Sequence, residues 1–380
     1  MGKKPKVFLG TLEIGGSIAI YAREFKKLGY PVHTAVMFKN WAFPLENYDS
    51  ICLDEVRHNF QYSLREDTLT TKFKMFSKIG LFGLREFIKN IGKNNWFIFI
   101  YGSNFLPFHY SVPFLNFIDY AILKKFGNNI ISIFVGCDIR YKPTFSEYAR
   151  KYQIADQCYW CSKDRMTKCD PRRVKRVIRG AEKYSDLILT VPDISFALTR
   201  PYYYFWIPLE INSYNFHIPR NKIPHIIHAP SERVFKGTDK IITALNQLEE
   251  DGFKFKKVFL EKCSNETVKK ELSAGDILID QVNSNSTGKL SVEGMACGCA
   301  VLCGLHEIQG LPEDCPAIST GRDQVYRNLK HLLENRQKIY AAAIQGRKYV
   351  EKYHDSSKVV KQIIHWIEDR PEDELIFPKH

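Results

Sequence analysis

Three side chains in the C-terminal half combine charge with places at the ends of regular elements. Arg233 and Lys236 lie in Ser231-Glu232-Arg233-Val234-Phe235-Lys236-Gly237-Thr238, and Glu293 lies in Ser291-Val292-Glu293-Gly294. The two cations stand just before a predicted helix. Its free N–H groups and positive dipole end would converge with them on one point, which suits a phosphate. A solvated surface is the alternative for such a pair. Glu293 falls about one turn into a second predicted helix, where it could accept hydrogen bonds from a ribose diol or another pair of sugar hydroxyls. An acid in a first turn also complements the dipole with no ligand at all.

The segment Asp276 to Leu305 must position Glu293. Ile277-Leu278-Ile279 and Ala300-Val301-Leu302-Cys303 are short apolar runs of the buried-strand kind, and the polar Asn283 to Gly288 between them reads as a loop. A helix starting near Leu290 follows that loop. In doubly wound sheets such loops open at the carboxyl ends of strands, where ligands sit. The N-terminus has the same strand, loop, helix, strand pattern. Strand Lys6 to Leu9 leads through loop Gly10 to Ser17 into a helix with Ile18, Ala22, Phe25 and Leu28 on one face, and then into strand Val32 to Met37. The Gly15-Gly16 loop nearly matches a phosphate-cradling G-x-x-x-x-G-K-[ST], but Gly16 occupies the lysine place, and G-x-G-x-x-G is absent. Trp96 to Tyr101 and Ile130 to Val135 are further strands. The second ends in Gly136-Cys137-Asp138-Ile139-Arg140, so Asp138 and Arg140 are cleft candidates, with a loop-fixing ion pair as the alternative.

The 380 residues allow two domains of ordinary size, and 44% hydrophobic with 26% charged residues is the composition of a globular chain. The net charge of +13 favours an anionic partner. Its aromatics read as strand core, not as stacking platforms between basic residues, so nucleic acid is not expected. Three lysines near the N-terminus precede no signal-like segment, and the aromatic stretch Trp96 to Leu123 is interrupted by Asn104, Pro107, His109 and Pro113 before it reaches spanning length. A cytoplasmic protein without a transmembrane helix is expected, with its ten cysteines as free thiols.

Two further clusters carry alternatives. Cys158 and Cys161 have C-x-x-C spacing with Cys169 nearby, the best metal-like pattern in the chain, and Cys137 is the candidate fourth ligand for a structural zinc; reduced thiols in a packed hairpin are the other reading. The helix predicted over Pro171 to Lys183 sets Arg172, Arg173, Lys175, Arg176 and Arg179 against an apolar face. Such a basic face is either solvated or placed on an anionic membrane surface.

The run Ser291 to Val301 resembles the E-A-M-A-x-G-x-P-V segment that closes the E-x7-E motif of retaining nucleotide-sugar glycosyltransferases with the two-lobed GT-B fold, in particular glycosyltransferase family four. Arg233-Val234-Phe235-Lys236-Gly237 resembles that family's R-x-x-K-G element, and Gly136 to Arg140 its G-S-D-x-R strand end. Asp280-Gln281 with Gly288 resembles the variant loop of members that build surface polysaccharides. The likeness is dense from His225 to the C-terminus. In the family the last Glu of the motif, here Glu293, binds the ribose, and the Arg and Lys grip the donor diphosphate. The first Glu falls at position 285, where this chain has Asn285, and a His common before the Gly of the strand end is here Val135, leaving His109 as a weak substitute.

The resemblance implies an α/β protein with two Rossmann-like lobes, an interlobe cleft and a C-terminal helix crossing back to the first lobe. The expected organisation is an acceptor-side domain over 1–208, a linker over 209–224, a nucleotide-sugar-binding domain over 225–355, and a returning helix and tail over 356–380. It further implies a retaining hexosyltransferase with Asp138, Arg233 and Lys236 in catalytic roles and Gly15, Gly16, Arg233, Lys236, Asn285, Gly288 and Glu293 on the donor, a nucleoside-diphosphate sugar. No metal or other cofactor is expected in catalysis. The acceptor is a glycan or lipid-linked glycan, with peripheral attachment to the inner face of a membrane through Arg172 to Arg179. A sugar-nucleotide epimerase and a catalytically silent binding partner are the rival readings.

Overall fold

A computed structural model describes residues 3–40, 42–43, 46–57, 69–92, 95–106, 117–161 and 169–379. The chain divides into two compact units: Met1–Tyr141 with Arg165–Pro208 and Val360–His380, and Lys142–Asp164 with Leu209–Val359. The segment Lys142–Asp164, which the sequence places with the first lobe, therefore groups with the second unit.

The first unit holds strands β1 (Val7–Thr11), β2 (Val32–Asn40), β3 (Ser50–Arg57), β4 (Trp96–Ile100), β5 (Asn129–Ile133), β6 (Leu187–Thr190) and β7 (Tyr203–Tyr204) in the order β3-β2-β1-β4-β5-β6-β7. Every pairing is parallel. Parallel neighbours need crossovers, and helices supply most of them: α1 (Ser17–Lys27), α2 (Leu69–Asn90), α3 (Ile118–Lys125) and, between β5 and β6, α4 (Lys142–Lys151), which groups with the second unit, and α5 (Pro171–Tyr184). The core is aromatic. Phe8, Phe97, Phe99 and Phe105 meet with ring centroids 4.5 to 6.4 Å apart, so the apolar runs that predict β1 and β4 also interlock across them.

The second unit holds β8 (His225–His228), β9 (Lys256–Phe259), β10 (Ile277–Ile279), β11 (Ala300–Cys303) and β12 (Ile318–Ser319) in the order β12-β11-β10-β8-β9, again all parallel. Its helices are α6 (Arg233–Lys236), α7 (Thr238–Glu250), α8 (Asn265–Leu272), α9 (Lys289–Cys297), α10 (Val325–Glu334) and α11 (Arg336–Tyr353). Here the core is aliphatic, with Ile226, Ile277, Ile279 and Leu302 of the strands packed with Ile241, Leu245 and Leu329 of the helices. Small residues let α9 lie close to the sheet: a Cβ on Gly294 would come within 2.5 Å of Leu278.

The last helix, α12 (Ser356–Glu368), ends in the first unit. There Trp366 stacks on Tyr203 at 4.8 Å, and Tyr202 bridges Ile376 antiparallel. Edge strands β3 and β12 are absent from the sequence-based expectation. β12 has two residues, and in β3 the run Ile51-Cys52-Leu53 passes straight into Asp54-Glu55.

Candidate functional site

In the second unit the chain leaves β8 for β9 on one side and returns as β10 on the other. The strand order reverses between β8 and β10, and in open parallel sheets the loops at the carboxyl ends of that pair form the ligand crevice. Those loops are 229–232, leading into α6 and α7, and 280–288, leading into α9.

His228 closes the bottom of this crevice. Its Nδ1 lies 2.7 Å from the Ile279 carbonyl oxygen and its Nε2 lies 2.8 Å from the Thr238 hydroxyl. A carbonyl only accepts, which assigns the ring proton to Nδ1 and leaves Nε2 to accept from Thr238. Burial pushes the imidazole down to about 4, so the ring is neutral and ties β8, β10 and the start of α7 together.

Above it Lys236 and the loop after β10 form one network. Lys236 Nζ donates to Asp280 Oδ1 at 2.6 Å and to Gln281 Oε1 at 3.0 Å; Ser291 Oγ donates to Asp280 Oδ2 at 2.6 Å. Gln281 Nε2 reaches the Ser284 hydroxyl and the Ser286 carbonyl. Gly288 is the N-cap of α9 with no side-chain cap, and a Cβ there would sit 3.3 Å from the Asp280 carboxylate and the Gln281 amide. Lys236 and Gly288 are thus brought together through Asp280. Gly237 takes φ 75°, and a Cβ on it would meet Val282 at 2.4 Å, so glycine is needed for the backbone turn and for the close approach.

Arg233 and Glu293 flank this network. Arg233, at the start of α6, pairs with Glu261 at 2.6 Å and stays largely exposed. Glu293 is buried one turn into α9, where its Oε1 accepts from Tyr214 Oη at 3.0 Å and from Asn265 Nδ2 at 2.9 Å; Lys289 lies 3.9 Å away. A carboxylate has about four acceptor directions, so these donors fix its orientation without using all of them. Burial, with the Glu293 charge second, pushes the Tyr214 hydroxyl well up, keeping it a donor. Tyr214 lies in the stretch that the sequence reads as linker. Neither it nor Asn265 is signalled locally, because each acts through a contact distant in sequence.

Asn285 is held from a part of the chain distant in sequence. Its Nδ2 donates to the Ala155 carbonyl at 2.8 Å and its Oδ1 accepts from the Ala155 N–H at 2.9 Å. Gln157 adds a bond from Nε2 to Ser284 Oγ at 3.1 Å, and the Arg322 guanidinium lies 4.1 Å above the Trp160 ring. Asn285 therefore clasps the backbone of the Lys142–Asp164 arm, with both ends of its amide engaged.

Among the described residues no three His, Cys, Asp or Glu side chains gather as metal ligands, and Cys137, Cys158, Cys161 and Cys169 form no disulfide. The zinc expected as one alternative has no such cluster to bind. Cys158 is buried, in a turn where the Cys161 N–H donates to the Cys158 carbonyl.

In the first unit the strand order reverses between β1 and β4. Gly15 and Gly16, with φ 62° and 76°, end the loop after β1 and start α1, and Thr11 joins this loop to the one after β4 through Ser103 and Asn104. Asp138 is fully buried, and its carboxylate accepts from the amides of Val135, Gly136 and Ile139 at 2.8 to 3.2 Å. Burial pushes its pKa up. Asp138 thus shapes the Gly136–Arg140 turn, with three of its acceptor directions taken by backbone amides. Arg140 and Arg173 both reach Cys137, at its Sγ and its carbonyl. His109 lies outside the described residues.

No family model matches the chain, and no curated protein matches it in sequence. Solved structures match it throughout. Sucrose-phosphate synthase from Thermosynechococcus elongatus covers 97% of this chain and 99% of its own at 10% identity, with a TM-score of 0.63. The fold is that of the GT-B glycosyltransferases. Anabaena HepE in complex with UDP-glucose matches 96% of this chain and 99% of its own at 11% identity and TM-score 0.55. A Staphylococcus aureus TarM variant in complex with fondaparinux, α-GlcNAc-glycerol and UDP matches 97% and 100% at 8% identity and TM-score 0.53.

Proposed function

We propose that the chain is a glycosyltransferase that moves a sugar from a nucleoside-diphosphate donor to an acceptor hydroxyl, with retention at the anomeric carbon. The observation that carries this reading is the grouping at the β8/β10 reversal: Lys236 fixed beside Asp280, Arg233 one turn away, the uncapped N-terminus of α9, and the oriented carboxylate of Glu293 behind it. The fold shared with HepE, whose structure holds UDP-glucose, supports the same donor class.

Breaking the glycosidic bond leaves a nucleoside diphosphate with more negative charge than it had as an ester. Arg233, Lys236 and the α9 N-terminus stabilise that charge where it develops. Glu293 accepts from the ribose diol and holds the nucleotide in register. Gly288 and Gly237 let backbone approach the phosphates. Retention follows from attack on the same face the diphosphate leaves, with the departing phosphate oxygen taking the acceptor proton, so no enzyme nucleophile is required and Asp138 needs no part in it. The acceptor is a glycan or lipid-linked glycan, and the anionic partner favoured by the net charge is a membrane surface.

Thermal shift against UDP, GDP, ADP and their sugar conjugates tests the reading, because a ligand that binds only the folded state raises its melting temperature. One nucleotide family should shift the wild type, and Glu293→Ala should lose most of that shift. Arg233→Ala and Lys236→Ala should lower turnover. Folded protein with no shift from any nucleotide overturns the proposal.

A further inference from the structure

We infer that helix α2 is the surface through which the protein docks on an anionic lipid bilayer. This refines the partner half of the proposed function and is independent of its sugar-transfer half.

One side of α2 is built into the first unit. Met75 and Ile79 pack with Met37 and Leu53, Phe87 joins the aromatic core, Gly83 lies against the Phe105 backbone, and Glu86 is buried on His33 at 2.8 Å. The opposite side is apolar as well. Leu81, Leu84 and Ile88, spaced as one helical face, are 68%, 43% and 63% exposed. Leucine and isoleucine at such exposure on successive turns form a row that water solvates poorly. Beside that row runs a second one, Lys74, Lys78, Arg85 and Lys89, all exposed, and none of the four has an ion-pair partner among the described residues. Arg85 stands four residues after Leu81 and three before Ile88, so the rows adjoin. The one acid of the helix, Glu86, points inward. The exposed half of α2 therefore offers apolar side chains and unpaired cations with no negative charge.

That combination selects the occupant. A neutral apolar partner would leave four cations facing it, and an acidic soluble partner would leave the leucines uncovered. An anionic bilayer satisfies both rows at one depth, apolar side chains below the headgroups and ammonium and guanidinium groups among them. Among the described residues no helix is long and apolar enough to cross a membrane, so the contact is one of lying on the surface. The basic helix α5, which the sequence favours for this role, lacks the apolar half: Val174, Val177, Ile178 and Ala181 are all buried in the core.

Flotation of the full chain with vesicles tests the assignment. The wild type should float with phosphatidylcholine vesicles containing phosphatidylglycerol and not with phosphatidylcholine alone. Leu81→Asp with Ile88→Asp should weaken binding about tenfold or more. Lys74→Ser, Lys78→Ser, Arg85→Ser and Lys89→Ser should each weaken it about fivefold. Arg172→Ser with Arg176→Ser should leave it within about twofold. The melting temperature and nucleotide shift of each variant, kept at wild-type values, separate lost docking from lost folding. Vesicle binding without any nucleotide shift would sink sugar transfer and leave this surface standing. Binding abolished by the α5 pair and untouched by the α2 pair overturns the assignment, as does a wild-type dimer that Leu81→Asp with Ile88→Asp turns into a monomer.

Discussion

Lys236 and Asp280 form an ion pair at 2.6 Å in which the carboxylate side chain is wholly buried and the lysine side chain is 11% exposed. Forty-four positions apart in sequence, they tie α6, which follows β8, to the loop after β10. The Ser291 hydroxyl on the second carboxylate oxygen extends the tie to the first turn of α9.

Removing one member of a buried pair leaves the other charged and unpaired, at a cost of about 3–5 kcal/mol. Asp280→Ala should therefore destabilise the protein by that amount in urea denaturation, while Asp280→Asn, whose Oδ1 still accepts from Lys236 while its Nδ2 can donate to the Ser291 hydroxyl, should lose less. Equal stability in wild type and Asp280→Ala would mean that the network contributes nothing to the fold.

His228 predicts a pH dependence. Its folded pKa of about 4 lies below the ordinary 6.5, so the unfolded chain binds the proton more readily. The stabilisation is complete above the unfolded value and is lost as pH falls towards the folded one. The difference is worth about 3 kcal/mol. Asp119, pushed up to about 6 by burial, acts with the opposite sign, so the comparison must be made against a variant. Between pH 7 and pH 4.5 the stability of the wild type should fall further than that of His228→Gln; parallel curves would exclude His228 as the titrating group.

Asn285→Ala removes both hydrogen bonds to Ala155 and leaves that backbone pair without partners, at a cost of about 1–3 kcal/mol. The loss should be local, read as faster amide hydrogen exchange over 142–161. Nucleotide affinity should change little. A variant with weakened nucleotide binding and unchanged exchange would return Asn285 to the donor.

Much of the fold is legible in short runs. Ile277-Leu278-Ile279 and Ala300 to Cys303 are apolar, bounded and buried, so pattern and structure coincide at β10 and β11. The edges are not legible. Ser50–Arg57 mixes Asp54, Glu55 and Arg57 with apolar residues, and β12 has two residues. At the site, residue type points to Lys236 and Glu293, but what holds each is set by pairs far apart in the chain. Asp280 reads as a loop residue and is the lysine's partner, Asn285 reads as a ligand contact and is a clasp on Ala155, and Asp138 reads as a reactive acid and binds three amides of its own turn. Local pattern carries periodicity and charge; it does not carry which buried donor meets which acceptor.

Stripped of its edge strands β3 and β7, the first sheet reads β2-β1-β4-β5-β6, and the second reads β9-β8-β10-β11-β12. The two units are topological duplicates of one five-strand plan. What distinguishes them is inserted between corresponding strands: from β9 to β10 the chain places only α8, whereas from β2 to β4 it places β3 and α2. The insertion is β3; the helix with the exposed leucines and lysines, α2, takes the place that α8 has in the second unit. The outer face of α2 takes part in no strand pairing, so it can be rewritten in sequence without re-threading either sheet.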